Sequence, residues 1–389
     1  MSNTAITIQL FDESSIGRYY QFAALAAIYD VLDIDLARKV KSGVESGRIV
    51  LTLNDLRALL DALVDYLKNE VCQVKDRVYG PTLYRAGVND YRILRSAGLI
   101  ADEKERLTCS SLVERYEKDK DHLLQRASNI VEVPMYLRAY VFSKYRSMSE
   151  VKHEAINVIS LYLATAGVYV SMIGRIVKGE DRYELYLNPE VSVGALQVAS
   201  RMYSLLNQPR SKVRLPIIIQ SIINLEGISL ELASIFSIAY YVYHVAKHVL
   251  NMQSLAEYYN VFEKLKLVCI KPEQRPLVIW ERPLTLTHII ANLESVNALD
   301  LLAALESLTE YAVDLREKVS GFTDSVSACI NDLYAYIETK VLDAPVHCAS
   351  GLARIFDALD ENCRKGDERT CNAKKNVNMF IHYIARLVP

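Results

Sequence analysis

Apolar residues recur at helical spacing along most of the chain. The stretch LRALLDALVDYLKNEV, after Asn54, puts Leu56, Leu59, Leu60, Leu63, Leu67 and Val71 on one stripe, which predicts an amphipathic helix capped by Asn54. Ser14 or Ser15 is positioned to cap an earlier helix through Tyr19, Phe22, Leu25 and Ile28. Further helical patterns cover residues 135–146, 151–170, 194–206, 215–224, 229–251 and 254–265. Residues 285–387 read as four or five amphipathic helices with turns near Asn297, Gly321, Pro345 and Gly366, a pattern suited to a helical bundle.

Alternating patterns are fewer. Residues 4–10 and 48–53 read as short strands, and RIVKGEDRYELYLNPE carries two β-prone runs about Gly179, Glu180 and Asp181. That pattern predicts a hairpin over residues 173–187, ended by Pro189. Residues 271–283 read as an extended connector or strand, and residues 80–98 as a loop or small irregular module. No internal repeat of 20 to 50 residues is visible. The expected fold is mainly α, with a small β-hairpin or mixed α+β insertion. Three regions follow: a mostly helical module with minor strands (1–147), a central basic region with a buried helix and the hairpin (148–283), and a C-terminal helical bundle (284–389).

Residues 155–174 run for twenty positions without a charge, the length a bilayer span requires. Asn157, Ser160, Thr165 and Ser171 interrupt the run, and basic residues flank both ends, so a helix buried in a protein core is expected. Composition agrees: 51% hydrophobic residues with 14 Gly and 10 Pro in 389 exclude a disordered or collagen-like chain. Seven cysteines spread through the chain do not form a dense disulfide framework, and the N-terminus lacks the basic start and apolar run of a secretory signal. The expectation is a cytoplasmic protein in a reducing compartment. The 25 tyrosines and abundant charge hint at a thermophilic source, where a disulfide between Cys363 and Cys371 would be less surprising; two separate thiols are the other reading.

Motifs of known chemistry are few. His244 and His248 in HVAKH are spaced to share one helix face, but the glutamate of a zinc protease is missing and a third ligand would come from afar, so a structural role is expected and no metal or cofactor is assigned. CRKGDERTC lacks the CxxC pairs of a zinc ribbon. Glu180, Asp181 and Glu184 would suit a nuclease metal site, yet Tyr186 stands where the following lysine belongs. Nucleotide-cradling and GxSxG patterns are absent, and no enzyme activity is expected. Residues 90–115, with Arg92 and Arg95 and with Arg85 just before, are similar to the end of a recognition helix followed by a wing, which leaves a winged-helix DNA-binding regulator as one alternative.

Charge is unevenly distributed. The total is -2, but residues 135–215 hold eleven basic against six acidic side chains, and residues 300–343 nine acidic against three basic. A middle region facing phosphates and a terminal bundle facing solvent or a basic partner would produce this asymmetry.

The order of elements then carries a resemblance. A long apolar helix, GVYVSMIGRIV, the hairpin KGEDRYELYLNPE, further helices and a C-terminal bundle together resemble the large subunit of the archaeal type I-A CRISPR interference complex. The likeness is one of length, composition and element order over about two-thirds of the chain. Its most family-like stretch is residues 167–189, and the first 130 residues lie outside it. It implies a non-catalytic subunit that helps bind target DNA and steady the opened duplex, while guide RNA supplies specificity. Other subunits of the complex would be its partners, a helicase-nuclease would cut in trans, and no membrane is involved. Arg175, Lys178, Arg182, Arg210, Lys212 and Arg214 would contact phosphates. A helical scaffold or interaction protein without nucleic acid is the other alternative.

Overall fold

A computed structural model describes residues 5–12, 15–73, 88–101, 107–137, 155–207, 214–250, 265–272, 277–283, 286–295 and 299–387. The chain is mainly α and falls into two compact units, residues 1–209 with 264–284 and residues 210–263 with 285–389.

The first unit opens with β1 (Ile6–Gln9), α1 (Ile16–Ile28), α2 (Ile34–Ser46), β2 (Arg48–Leu51) and α3 (Leu53–Tyr66). Then come α4 (Val88–Ser96), α5 (Cys109–Gln125), β3 (Ile130–Glu132), β4 (Ala155–Asn157), α6 (Val158–Ser171), β5 (Met172–Lys178), β6 (Asp181–Pro189), α7 (Val193–Leu206), β7 (Leu265–Lys271) and β8 (Leu277–Pro283). β1 and β2 pair antiparallel, as do β3 and β4, and β5 to β8 form one antiparallel sheet in sequence order.

Two helices without a polar face form the centre of this unit. Every residue of α1 and of α6 is buried, and the two pack against each other. They meet at Gly167, where a Cβ would fall 1.7 Å from the Tyr20 carbonyl oxygen. Only a residue without a side chain lets the backbones approach so closely. The polar residues of the charge-free run are all bonded internally. Asn157 caps α6 by accepting the Ser160 N–H at 3.0 Å, Thr165 donates to the Leu161 carbonyl at 2.8 Å, and Ser171 donates to that of Gly167 at 2.8 Å. At about 1.5 Å per residue, 14 residues span about 21 Å, short of a bilayer's ~30 Å. Among the described residues no helix is long and apolar enough to cross a membrane.

Several boundaries differ from expectation. α3 is capped by Thr52, not Asn54: Thr52 Oγ1 accepts the Asp55 N–H at 3.2 Å and Asp55 Oδ2 accepts the Thr52 N–H at 3.0 Å. This capping box satisfies two end donors at once. Ser15 caps α1, accepting the Gly17 N–H at 3.2 Å. The helix expected from residue 151 starts at Val158, because residues 155–157 are strand β4. Of the helix expected at 135–146, one turn is seen (Met135–Leu137), and 138–146 lies outside the described residues. Where a wing is expected after α4, the chain instead forms helix α5, started by Thr108 and Ser111, whose hydroxyls reciprocally accept each other's backbone N–H. α5 runs antiparallel to α3, with Arg57 on Asp121, Lys120 on Asp61 and Lys68 on Glu117, and Cys72 bonded to Cys109 at the far end.

The second unit holds α8 (Leu215–Ile223), α9 (Leu230–His244), which widens into a turn at Val245–Val249, α10 (Leu286–Ser295), α11 (Asp300–Leu315), α12 (Phe322–Thr339), α13 (Asp343–Arg364) and α14 (Glu368–Ala385). α11 packs on α12, α12 on α13, α13 on α14 and α14 back on α11, the closed ring of an up-and-down four-helix bundle. Phe322, Val326, Ile330, Leu333 and Ile337 of α12 and Leu352, Ile355 and Leu359 of α13 supply its stripes at helical spacing. The turn expected at Pro345 falls instead at residues 340–342, since proline fits the first turn of α13. Six of the seven cysteines are paired: Cys329–Cys348 ties α12 to α13 and Cys363–Cys371 ties α13 to α14, while Cys269 is single and buried. The turn near Asn297 and the helix expected at 254–264 lie outside the described residues, and Leu265 opens strand β7.

Candidate nucleic-acid interface

Three of the six expected phosphate contacts lie on the β5–β6 hairpin. Its register runs Met172↔Tyr186 to Lys178↔Asp181, leaving Gly179 and Glu180 as a two-residue connection. Gly179 has φ 63°, and Glu180 does not take positive φ. Positive φ at the first position alone matches a type II′ turn, whose twist suits a hairpin. Lys178 and Arg182 are exposed beside this turn, and Val177 is 45% exposed. Alternation sends Lys178 to one face of the sheet and Arg182, the cross-strand partner of Val177, to the other.

Arg175 is placed differently. It faces Glu184 across the strands, its Nη2 3.4 Å from Glu184 Oε1, and Glu184 is 3% exposed. Tyr186 donates to Glu184 Oε2 at 2.7 Å, and the Tyr186 ring lies against Tyr20 of α1, centroids 5.3 Å apart. Burial, with the Glu184 charge beside them, pushes both phenols well above their usual range. On the same face, Lys266 pairs with Glu281 at 3.1 Å and lies over the Tyr19 ring. Arg175 is thus tied to the polar layer that seats the sheet on α1.

Nor do the hairpin carboxylates converge on one point, as a metal would require. Glu184 is buried toward α1, while Asp181 is on the opposite face, bound by Lys271 at 2.8 Å and accepting the Tyr183 hydroxyl at 3.2 Å. Lys271 and Tyr183 hold the Asp181 carboxyl below its ordinary range, the lysine being the larger cause. Lys271 thereby brings a further cation to the tip. It was not among the cations expected here, because β7 joins the hairpin from a distant part of the chain.

Of the other three candidates, only Arg214 is among the described residues. Arg214 directly precedes α8 in the second unit and is half-buried, and Arg210 and Lys212 lie outside the described residues. The acidic stretch 300–343 is partly neutralised by its own surroundings: Lys247 pairs with Asp300 at 2.8 Å and Arg369 with Asp314 at 2.6 Å. Burial and the neighbouring Glu310 raise Glu306 to about 7. His244 and His248 do stand together, ring centroids 5.0 Å apart, and among the described residues no group of three metal-ligating side chains forms.

The fold and site define a mainly α chain of two units, with a basic-tipped hairpin carried on a four-stranded sheet. No protein-family model, curated protein or solved structure matches the chain.

Proposed function

We propose that the chain is a non-catalytic, nucleic-acid-binding subunit of an RNA-guided interference complex, in which guide RNA and target DNA are held together with other subunits and a helicase-nuclease cuts in trans. The observation that supports this reading is the hairpin tip. Lys178 and Arg182 are exposed on opposite faces of a tight turn, where cations can position a phosphate backbone. The sheet that carries the tip is seated on α1 through Tyr186, Glu184 and Arg175. A thermophilic archaeal cytoplasm fits the three cystine pairs and the ion pairs along α3–α5 and α11–α14, since intracellular hyperthermophile proteins are disulfide-rich.

The test is salt-dependent binding of single-stranded and duplex DNA by the full chain. Replacing Lys178 and Arg182 by Ala makes the log–log salt dependence shallower by about 0.7–0.9 for each phosphate that is no longer neutralised. An unchanged slope removes the hairpin from the interface. Short guide-like RNAs recovered with the protein from its native cell support the complex, and their absence argues against it.

A protein-binding scaffold is the second reading, favoured by exposed apolar residues in each unit. Val31 and Ile34 are 72% and 78% exposed, and Val341, Leu342 and Val346 cluster at the α12–α13 turn. Loss of co-purifying subunits on replacing Val31 and Ile34 by Ser, with nucleic-acid binding intact, would favour it.

A further inference from the structure

His244 and His248 stand at the end of α9, where the helix changes its winding. It widens just after His244, with the Leu250 N–H bonded to the Val245 carbonyl at 3.0 Å, so the chain runs through one i→i+5 turn. Such wide turns stack residues four to five apart more directly than a regular helix does, and they recur at functional sites. The two imidazoles lie beside each other, ring centroids 5.0 Å apart and planes inclined at 46°.

That separation is the one a shared ion needs. With metal–nitrogen bonds of about 2.0–2.1 Å, each ring centre lies about 3.2 Å from the ion, so the two centres sit about 4.5 Å apart at a right-angle bite and about 5.2 Å apart at a tetrahedral one. The observed value falls between these limits.

The surroundings leave the rings available. Among the described residues neither imidazole has a hydrogen-bond partner; His248 is exposed and His244 half-buried. Lys247, the cation between them in sequence, is held on Asp300 at 2.8 Å and on the Tyr243 hydroxyl. Tyr240 and Tyr243 flank the rings at 5.9 and 6.4 Å.

We infer that His244 and His248 form a bidentate surface site for a borderline divalent transition ion, Zn(II) or Cu(II), whose remaining positions are filled by water. This site is independent of the nucleic-acid reading, and its success or failure leaves that reading untouched.

The experiment is calorimetric titration of the full chain with ZnCl2 and, separately, CuCl2, in buffer free of chelators. The single thiol, Cys269, is buried in the sheet and does not compete. One ion per chain is expected, Cu(II) more tightly than Zn(II), as the order of divalent affinities for nitrogen sites requires. His244→Ala and His248→Ala each weaken binding by at least about tenfold, because even groups that only orient a metal's ligands matter by about 10–100-fold. His382→Ala, on α14 beside Arg386, leaves it unchanged. Exposed His248 can be replaced without loss of fold, which circular dichroism verifies. Equal uptake by the wild type and the His244→Ala/His248→Ala double variant, or no uptake by the wild type, overturns the inference.

Discussion

Replacing Gly167 by Ala adds one methyl at the crossing of α1 and α6. The added Cβ would lie 1.7 Å from the Tyr20 carbonyl oxygen and 2.5 Å from its carbon. These are backbone atoms in the middle of a buried helix, so they cannot rotate aside as a side-chain tip would. To restore van der Waals distances the helices must part by about 1.5 Å, and a gap of even ~0.5–1 Å forfeits a quarter to a half of the pairwise attraction along the seam. Overpacking of this kind costs about 3–4 kcal/mol, at and beyond the top of the usual range. Helix propensity returns about 1 kcal/mol. A net loss of about 2–3 kcal/mol follows, measured as a lower urea midpoint at unchanged m. Gly351 is the control: it lies within α13 and a Cβ there meets nothing within 4 Å. Gly351→Ala should raise stability by about 0.5–1 kcal/mol from propensity alone. If Gly167→Ala proves as stable as the wild type, the close crossing is wrong.

The packing makes three other outcomes measurable. Arg175→Met leaves Glu184 buried without its cation and should lower stability by about 1–3 kcal/mol in denaturant unfolding, with the salt slope of DNA binding unmoved; a shallower slope would return Arg175 to the interface. Glu306 is raised from 4.5 to about 7, so the folded state keeps a proton that the unfolded chain releases. Its contribution to stability is therefore complete below pH 4.5 and lost as pH rises through 7. Melting temperatures from about pH 4 to 8 should show this decline in the wild type and not in Glu306→Gln; parallel profiles would place Glu306 in water. Thiol titration of the denatured, unreduced chain should find Cys269 alone. Loop closure then gives about 3 kcal/mol for Cys329–Cys348 and about 2.5 for Cys363–Cys371, read as a fall in the melting point with reductant; reductant-insensitive melting would refute both staples.

Much of the local structure was written in the pattern of residues. The stripe from Leu56 to Val71, the Gly179 turn with its β-prone flanks, and the amphipathic helices of the bundle were all legible, because each obeys a period set by neighbours a few residues away. The charge-free run at 155–174 was legible as a core helix for the same reason: its polar residues are spaced to bond back onto their own turn or to cap it. Start positions were less legible, since Thr52, Ser15 and Thr108 compete with adjacent polar residues and only the bonded geometry selects one. What tertiary structure alone decided is the pairing of distant segments. β7 and β8 complete a sheet begun by β5 and β6 and bring Lys271 to Asp181, Arg175 is drawn to Glu184 by the layer on α1, and Cys72 and Cys329 find Cys109 and Cys348. No local period encodes such pairings. They follow from which surfaces must be buried together, and that is settled when the elements pack.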